Sequence, residues 1–316
     1  MIDRRRFLGA GTASALAGLL AAPARAQQPK QIRIGYQKNG VLVIARQQAA
    51  LEKHFAALGT TIVWFDFPAG PPLLEAMNAG SIDFGQVGDT PPIFAQAANA
   101  KIVYVAGQPI TNGQGILVKP ESAIRTLADL KGKRIGFTKG SSAHNVVVMA
   151  LEKADLQYSD ITPVYLSPPD GAAAFANNGI DAWAVWDPYF AIGEKRGGGR
   201  ILVNAGEIGK TNSFYLANRD FAAAAPRTVS AVIDVLQGSA AWAEAHRDEV
   251  GRLMAEITGV DAEIQTLAAR RSSFAIGKLT DDIVATQQAV ADRFFKLGLI
   301  PRAVTVREAV WTPSQS

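Results

Sequence analysis

The residues best equipped for chemistry sit where apolar runs change their period. In Lys139-Gly140-Ser141-Ser142-Ala143-His144-Asn145, two hydroxyls and a histidine fall between "RIGFT", which reads as a strand, and "VVVMALEKA", which reads as a helix. Two readings compete. The serines cap the helix, as Ser does at many N-termini, or they line an anion site that also uses the free N–H groups of the first turn. Gly88-Asp89-Thr90-Pro91-Pro92 repeats the pattern, with Thr90 suited to an N-cap and Pro91 to a first turn that needs no N–H there. Alone it is a well-made helix start, but a second polar start elsewhere in the chain favours a shared site.

A third stretch adds a wall. In "IDAWAVWDPYF" the alternation of a strand puts Trp183 and Trp186 on opposite faces, one for a core and one for a cleft. Trp186, nearer the strand's C-terminal end and followed by Asp187, is assigned to the cleft. An aromatic surface beside an anion-holding helix start suits a ligand with an oxyanion head and an apolar tail.

Catalytic readings find less support. The three histidines make no metal-binding pair at helical spacing, and His54 in "LEKHF" and His246 in "AEAHRDE" read as solvated helix faces. Ser142 lies near His144, yet no G-x-S-x-G elbow is present, and "LKGKRIG" lacks phosphate-loop spacing. There is no cysteine. The expectation is no catalytic residue, no metal and no cofactor.

The elements that must position these residues alternate. "QIRIGYQ", "TTIVWFDF", "IDFGQVG" and "KIVYVAGQ" read as strands, separated by helical patterns in "VLVIARQQAALEKHFAAL", "GPPLLEAMNAG" and "TPPIFAQAANA". A second α/β unit runs from "GILVKP" through "LKGKRIGFTKG", "DITPVYLSP" and "DAWAVWDPYF" to "RILVNA"; from "SFYLANRDF" onward the chain reads as mostly helical. Such βαβ series build parallel sheets covered by helices. The fold class is therefore α/β, a clamshell of two lobes with a helical C-terminal tail. Its ligand would lie beyond the C-terminal strand ends, where "YQKNG", "VGDTPP" and "KGSSAHN" all fall.

The N-terminus decides the compartment. Arg4-Arg5-Arg6, an interrupted apolar run and "ARA" ending at Ala26 read as a secretory signal peptide of twin-arginine type, cleaved after Ala26. The run is too short for the roughly 20 residues of a spanning helix. Residues 1–26 hold four of the 32 Lys and Arg and one of the 28 Asp and Glu, so the remainder carries a net charge of only +1. That gives no support to a nucleic-acid partner. The expected product is a free, soluble periplasmic protein without disulfides.

Together "IRIGYQKNGVLVIARQQAALEK", "GDTPPIFAQAA", "LKGKRIGFTKGSSAHNVVVMALEKADL", "WAVWDPY" and "SFYLANRDFA" resemble the periplasmic aliphatic sulfonate-binding proteins of ABC importers, across essentially the whole mature chain. The resemblance implies a type II periplasmic-binding fold with a hinge of two crossing strands. Residues 27–113 and 214–316 then form lobe I, and 114–213 form lobe II. It implies capture of alkanesulfonates for sulfur acquisition, delivery to an inner-membrane permease with its ATPase, a monomer, and no enzymatic activity. Carried onto matching positions, it makes Gln37, Gly88, Asp89, Thr90, Ser141, Ser142, His144, Trp186 and Asp187 the pocket. Ser141, Ser142 and Thr90 would surround the sulfonate, Gln37 would donate, and Trp186 would face the carbon tail. Asp89 and Asp187 would bind backbone donors and penalise a second negative charge, and His144 would donate or brace the serine loop. Lys38 and Lys139 read as solvated rim, so neutral donors would hold the charge. Ala143 stands where a third Ser would donate, and Asn212 where close relatives often have Gly. Taurine, another organosulfonate or a sulfate ester is the alternative ligand, and Asp187 would serve an ammonium if backbone left it free. Enzymes on the same fold rely on cysteine, which this chain lacks.

Overall fold

Ten strands form two five-stranded sheets in this computed structural model, which describes residues 28–110 and 112–312. The leader and its cleavage point at Ala26 lie outside the described residues. The first sheet holds β1 (Gln31–Tyr36), β2 (Thr61–Asp66), β3 (Phe84–Val87) and β4 (Ile102–Ile110). The second is built from β5 (Gln114–Val118), β6 (Arg134–Phe137), β7 (Thr162–Tyr165), β8 (Ala182–Trp186) and β9 (Arg200–Asn204). The chain then returns to the first sheet as β10 (Thr211–Asn218).

The two sheets share one design. Their orders are β2-β1-β3-β10-β4 and β7-β6-β8-β5-β9; β1, β2 and β3 are mutually parallel, as are β6, β7 and β8, while β10 and β5 run antiparallel to their neighbours. Each parallel strand feeds a helix across the face, so all the strand-to-helix turns of a lobe gather at one end. The chain crosses between lobes at 110–114 and 204–211. These crossings lie side by side, because Thr211 pairs with Ile110 in register and Gln114 Nε2 donates to the Thr211 hydroxyl at 3.3 Å.

The segment that begins "SFYLAN" is strand, not the start of the helical tail, and Thr211, Asn212 and Ser213 pair with Ile110, Pro109 and Gln108 in the first sheet. All eight β10 residues are buried, with Phe214 and Leu216 in one core cluster and Tyr215 and Ala217 in the other. Alternation by two survives, with apolar residues on both faces, because helices of the tail cover both. Pro226–Ala245 supplies Val229, Val232 and Leu236 to one side, and Asp281–Lys296 supplies Val284, Val290 and Phe294 to the other. The long helical pattern after β1 is two helices, Gly40–Gln47 and Ala50–Ala56, broken where Ala49 takes φ +48°. Among the described residues no helix is long and apolar enough to cross a membrane.

Candidate functional site

Helices Gly40–Gln47, Gly70–Asn78 and Thr90–Ala97 start just beyond β1, β2 and β3, and Ser142–Lys153 starts just beyond β6. Their first turns meet in a cleft between the lobes that encloses about 990 Å³, part of it open to solvent. Asn39, Gly40, Gly70, Gly88, Pro91, Ser141 and Ser142, all at these helix starts, line it. Convergent N-termini carry unsatisfied N–H groups and the positive ends of helix dipoles, so the cleft favours an anion before any charged side chain is counted.

The serines are not caps. Neither Ser141 nor Ser142 accepts a hydrogen bond from the helix it starts; Ser141 donates to the Thr138 carbonyl at 2.7 Å. Both are buried and both face the cleft. Gly88 makes this possible from the other lobe, since a Cβ there would stand 2.8 Å from Ser142 Cβ. Gln37 and Trp186 also line the cleft. Gln37 commits one amide hydrogen to the Gln86 carbonyl at 3.3 Å. Trp183, on the other face of β8, packs against Phe175 in the lobe's core.

Asp89, Thr90 and His144 do not line the cleft; each lies behind it. The Thr90 hydroxyl donates to Asp89 Oδ1 at 2.8 Å, so its one hydrogen is spent on its neighbour and not on a ligand. Asp89 also accepts from Asn145 Nδ2 at 2.7 Å. Its burial still raises the carboxyl to about 6, against the bonds from Thr90 and Asn145 and the charge of Arg293. His144 is fully enclosed, stacked on Phe137 with centroids 4.9 Å apart. Burial, helped by Lys139, lowers it to about 3. Its Nδ1 accepts from the Gly140 N–H at 3.2 Å, which leaves Nε2 to donate to the Tyr158 hydroxyl at 2.9 Å. It braces the serine loop as a neutral ring.

Asp187 lines the cleft. Its Oδ1 accepts from the Ala191 N–H at 2.9 Å, and burial pushes the carboxyl up to about 7 despite nearby Arg271 and that N–H. Asn39 Nδ2, from the other lobe, donates to the Asp187 carbonyl at 3.2 Å. Lys38 stays at the rim, 3.4 Å from Asp66, and Lys139 lies over the Tyr165 ring at 5.4 Å.

Sequence reasoning missed Arg271, the last residue of the helix Ala262–Arg271. It lines the cleft, pairs with Glu194 across the lobes and lies 5.3 Å over the Phe190 ring. The cleft thus has a guanidinium among its described lining residues, and its charge does not rest on neutral donors alone. Gln108, Gln114 and Ser273 were also missed; Gln108 donates to the Ser273 carbonyl and accepts from the Tyr215 hydroxyl at 2.9 Å. Among the described residues no cluster of three or more His, Cys, Asp or Glu could hold a metal ion.

A family model described as NMT1-like matches residues 25–259. A protein of Escherichia coli (strain K12) named for binding aliphatic sulfonates is 41% identical over 308 residues, covering 95% of this chain and 96% of the relative. The solved alkanesulfonate-binding protein SsuA from Xanthomonas axonopodis pv. citri, bound to MOPS, is 43% identical with a TM-score of 0.86, over 90% of this chain and 99% of that one. The periplasmic aliphatic sulphonate binding protein from Escherichia coli superposes with a TM-score of 0.83 at 39% identity, over 92% of this chain and 94% of that one.

Proposed function

Because the chain belongs to the NMT1-like family and, within it, to the aliphatic sulfonate-binding proteins, we propose that it captures an organosulfonate between its lobes for an ABC importer. It is a periplasmic solute-binding protein and not an enzyme. The observation that carries the reading is the meeting of Ser141 and Ser142, freed from capping, with convergent helix N-termini in one interlobe cleft. A sulfonate is a permanent monoanion with three acceptor oxygens. It needs several donors and no titrating base, and this pole of the cleft offers hydroxyls and N–H groups.

In this reading the Ser142 hydroxyl and nearby backbone N–H groups hold the sulfonate, Ser141, whose hydroxyl is spent on the Thr138 carbonyl, shapes the loop beside it, Gln37 donates its second amide hydrogen, and Trp186 covers the carbon tail. Gly88 lets the lobes close on Ser142. Asp89, Thr90 and His144 fix the two loops from behind. Above pH 7, where the buried Asp187 is ionised, a dianion such as sulfate would meet its carboxylate and bind poorly. The exported form begins after Ala26, acts as a monomer and hands its ligand to an inner-membrane permease with its ATPase.

The test is calorimetric titration of residues 27–316, stripped of ligand by unfolding and refolding, with ethanesulfonate, hexanesulfonate, taurine and sulfate. Sulfonates are expected to bind and sulfate to stay silent. A ligand at 100 times its dissociation constant should also stabilise the fold by roughly 2.7 kcal/mol in a melt. Binding of sulfate alone, or of nothing, would sink the reading.

A further inference from the structure

A sulfonate brings into the cleft a charge that no proton can neutralise, so the charges already there decide what else must move. Among the described lining residues only Asp187 and Arg271 ionise. Arg271 is paired with Glu194 across the lobes, and that pair carries no net charge. The Asp187 carboxylate is then left to face the ligand's own negative charge, and a cleft emptied of water screens the two poorly.

The surroundings of Asp187 do not relieve this. The residue is 7% exposed; Oδ1 accepts from the Ala191 N–H at 2.9 Å, whereas Oδ2 is buried without a hydrogen-bond partner. Four elements surround it. The helix Tyr189–Lys195 brings the Ala191 N–H and Glu194, and the end of the helix Ala262–Arg271 brings Arg271. The crossing between the lobes brings the backbone of Gly113, where a Cβ would stand 3.4 Å from Oδ2. The turn after β1 brings Asn39, which donates to the Asp187 carbonyl and not to its carboxylate; Lys38 in the same turn is paired with Asp66 at the rim. One guanidinium is thus shared by two carboxylates, and burial outweighs it. The Asp187 carboxyl is pushed up to about 7 before any ligand charge is added, whereas in an open cleft filled with water it would titrate near the ordinary value of about 3.9.

Resting on the sulfonate reading above, we infer that capture is proton-linked: as the lobes close on a sulfonate, Asp187 takes up a proton from solvent on Oδ2. The sulfonate stays ionised and the proton goes to the protein, so one anion and one proton enter together with no net gain of charge. A carboxyl that holds its proton more tightly in the bound form makes binding stronger in acid. Affinity should therefore fall about tenfold per pH unit between pH 5 and pH 7, and level off once the bound form ionises too. Asp89 and His144 also meet the opposite lobe, so the proton is assigned by substitution.

Ethanesulfonate titrated calorimetrically into the ligand-stripped protein at pH 6, in cacodylate and again in imidazole, reads the protons taken up from the difference in heat. Both buffers lack a sulfonate that would compete. The wild type should take up at least half a proton per ligand. Asp187→Asn, a neutral isostere that keeps an oxygen for Ala191, should take up at least fivefold less, and at pH 8 should bind tenfold or more tighter than the wild type. Glu194→Gln leaves Asp187 in place and gives it the undivided charge of Arg271, so uptake at pH 7 should drop by half or more; this variant serves if the first does not fold. Binding without proton uptake, or uptake that either variant leaves unchanged, would overturn the inference and leave sulfonate capture standing. No binding at any pH from 5 to 8 would remove the sulfonate reading and the proton linkage together.

Discussion

His144 is a histidine whose titration opposes folding in acid. In the unfolded chain it takes a proton near 6.5, whereas its enclosed ring holds out until about 3. A depressed folded value means that the unfolded state binds the proton first. The stability it carries is complete above pH 6.5 and is lost as pH falls toward 3, by up to about 1.4 kcal/mol per pH unit. Asp89 and Asp187, raised to about 6 and about 7, work the other way: they favour the folded state near pH 4 and lose that contribution as pH rises through 7. The three partly cancel in the wild type, so the informative quantity is a difference. In His144→Gln, urea unfolding at pH 7, 6, 5 and 4 should give a stability that falls less with acid than the wild type, by about 1 kcal/mol per unit. Parallel profiles would show that His144 is not held neutral by burial.

At the scale of elements, the loop before the helix Ser142–Lys153 and the loop before Thr90–Ala97 face each other with almost no room between them. Gly88→Ala would place a Cβ 2.8 Å from Ser142 Cβ. Neither atom can swing aside, since both are fixed to backbone, so the lobes must part by a few tenths of an ångström or more. Ethanesulfonate affinity should fall at least tenfold, while the ligand-free melting temperature moves by no more than about 2 °C. Unaltered affinity would mean that closure at this point does not shape the site. These loops were legible in the sequence because strand, glycine, hydroxyl and helix follow one another locally. Thr90 misled for the same reason: a hydroxyl beside a carboxylate at a helix start looks like a donor awaiting a ligand, and only the fold shows it bonded to Asp89. Arg271 was illegible, because an arginine ending "LAARR" reads as the basic last turn of any helix. Strand β10 was missed since "TNSFYLAN" is buried on both faces and its partner β4 lies a hundred residues earlier.

For the whole molecule, closure is recorded in contacts that no open form could keep. On one flank Arg293 of the tail pairs with Glu152 at 2.8 Å and donates to Asn145 Oδ1 at 3.2 Å, while Asn145 donates to Asp89. Three elements from both lobes thus meet on one chain of charge-assisted bonds, and its central members, Asn145 and Asp89, are fully enclosed. On the other flank Arg271 meets Glu194, and Arg196 meets Asp261 at 3.0 Å. The pairs differ in solvent. Arg293 is 20% and Arg271 15% exposed, against 52% and 60% for Arg196 and Asp261, and an exposed ion pair is worth between nothing and about 1 kcal/mol. The Asp89–Asn145–Arg293 chain and the Arg271–Glu194 pair, and not Arg196–Asp261, should therefore hold the closed state. A ligand first meets an open cleft, before these bonds exist, so removing them should spare association and speed release. With Trp186 in the cleft as a fluorescent reporter, stopped-flow mixing with a bound sulfonate should find Arg293→Ala releasing ligand about tenfold faster, with the association rate within a factor of three. Arg196→Ala should change release less than twofold. Equal effects from the two substitutions would place the latch in overall charge and not in the Asp89–Asn145–Arg293 chain.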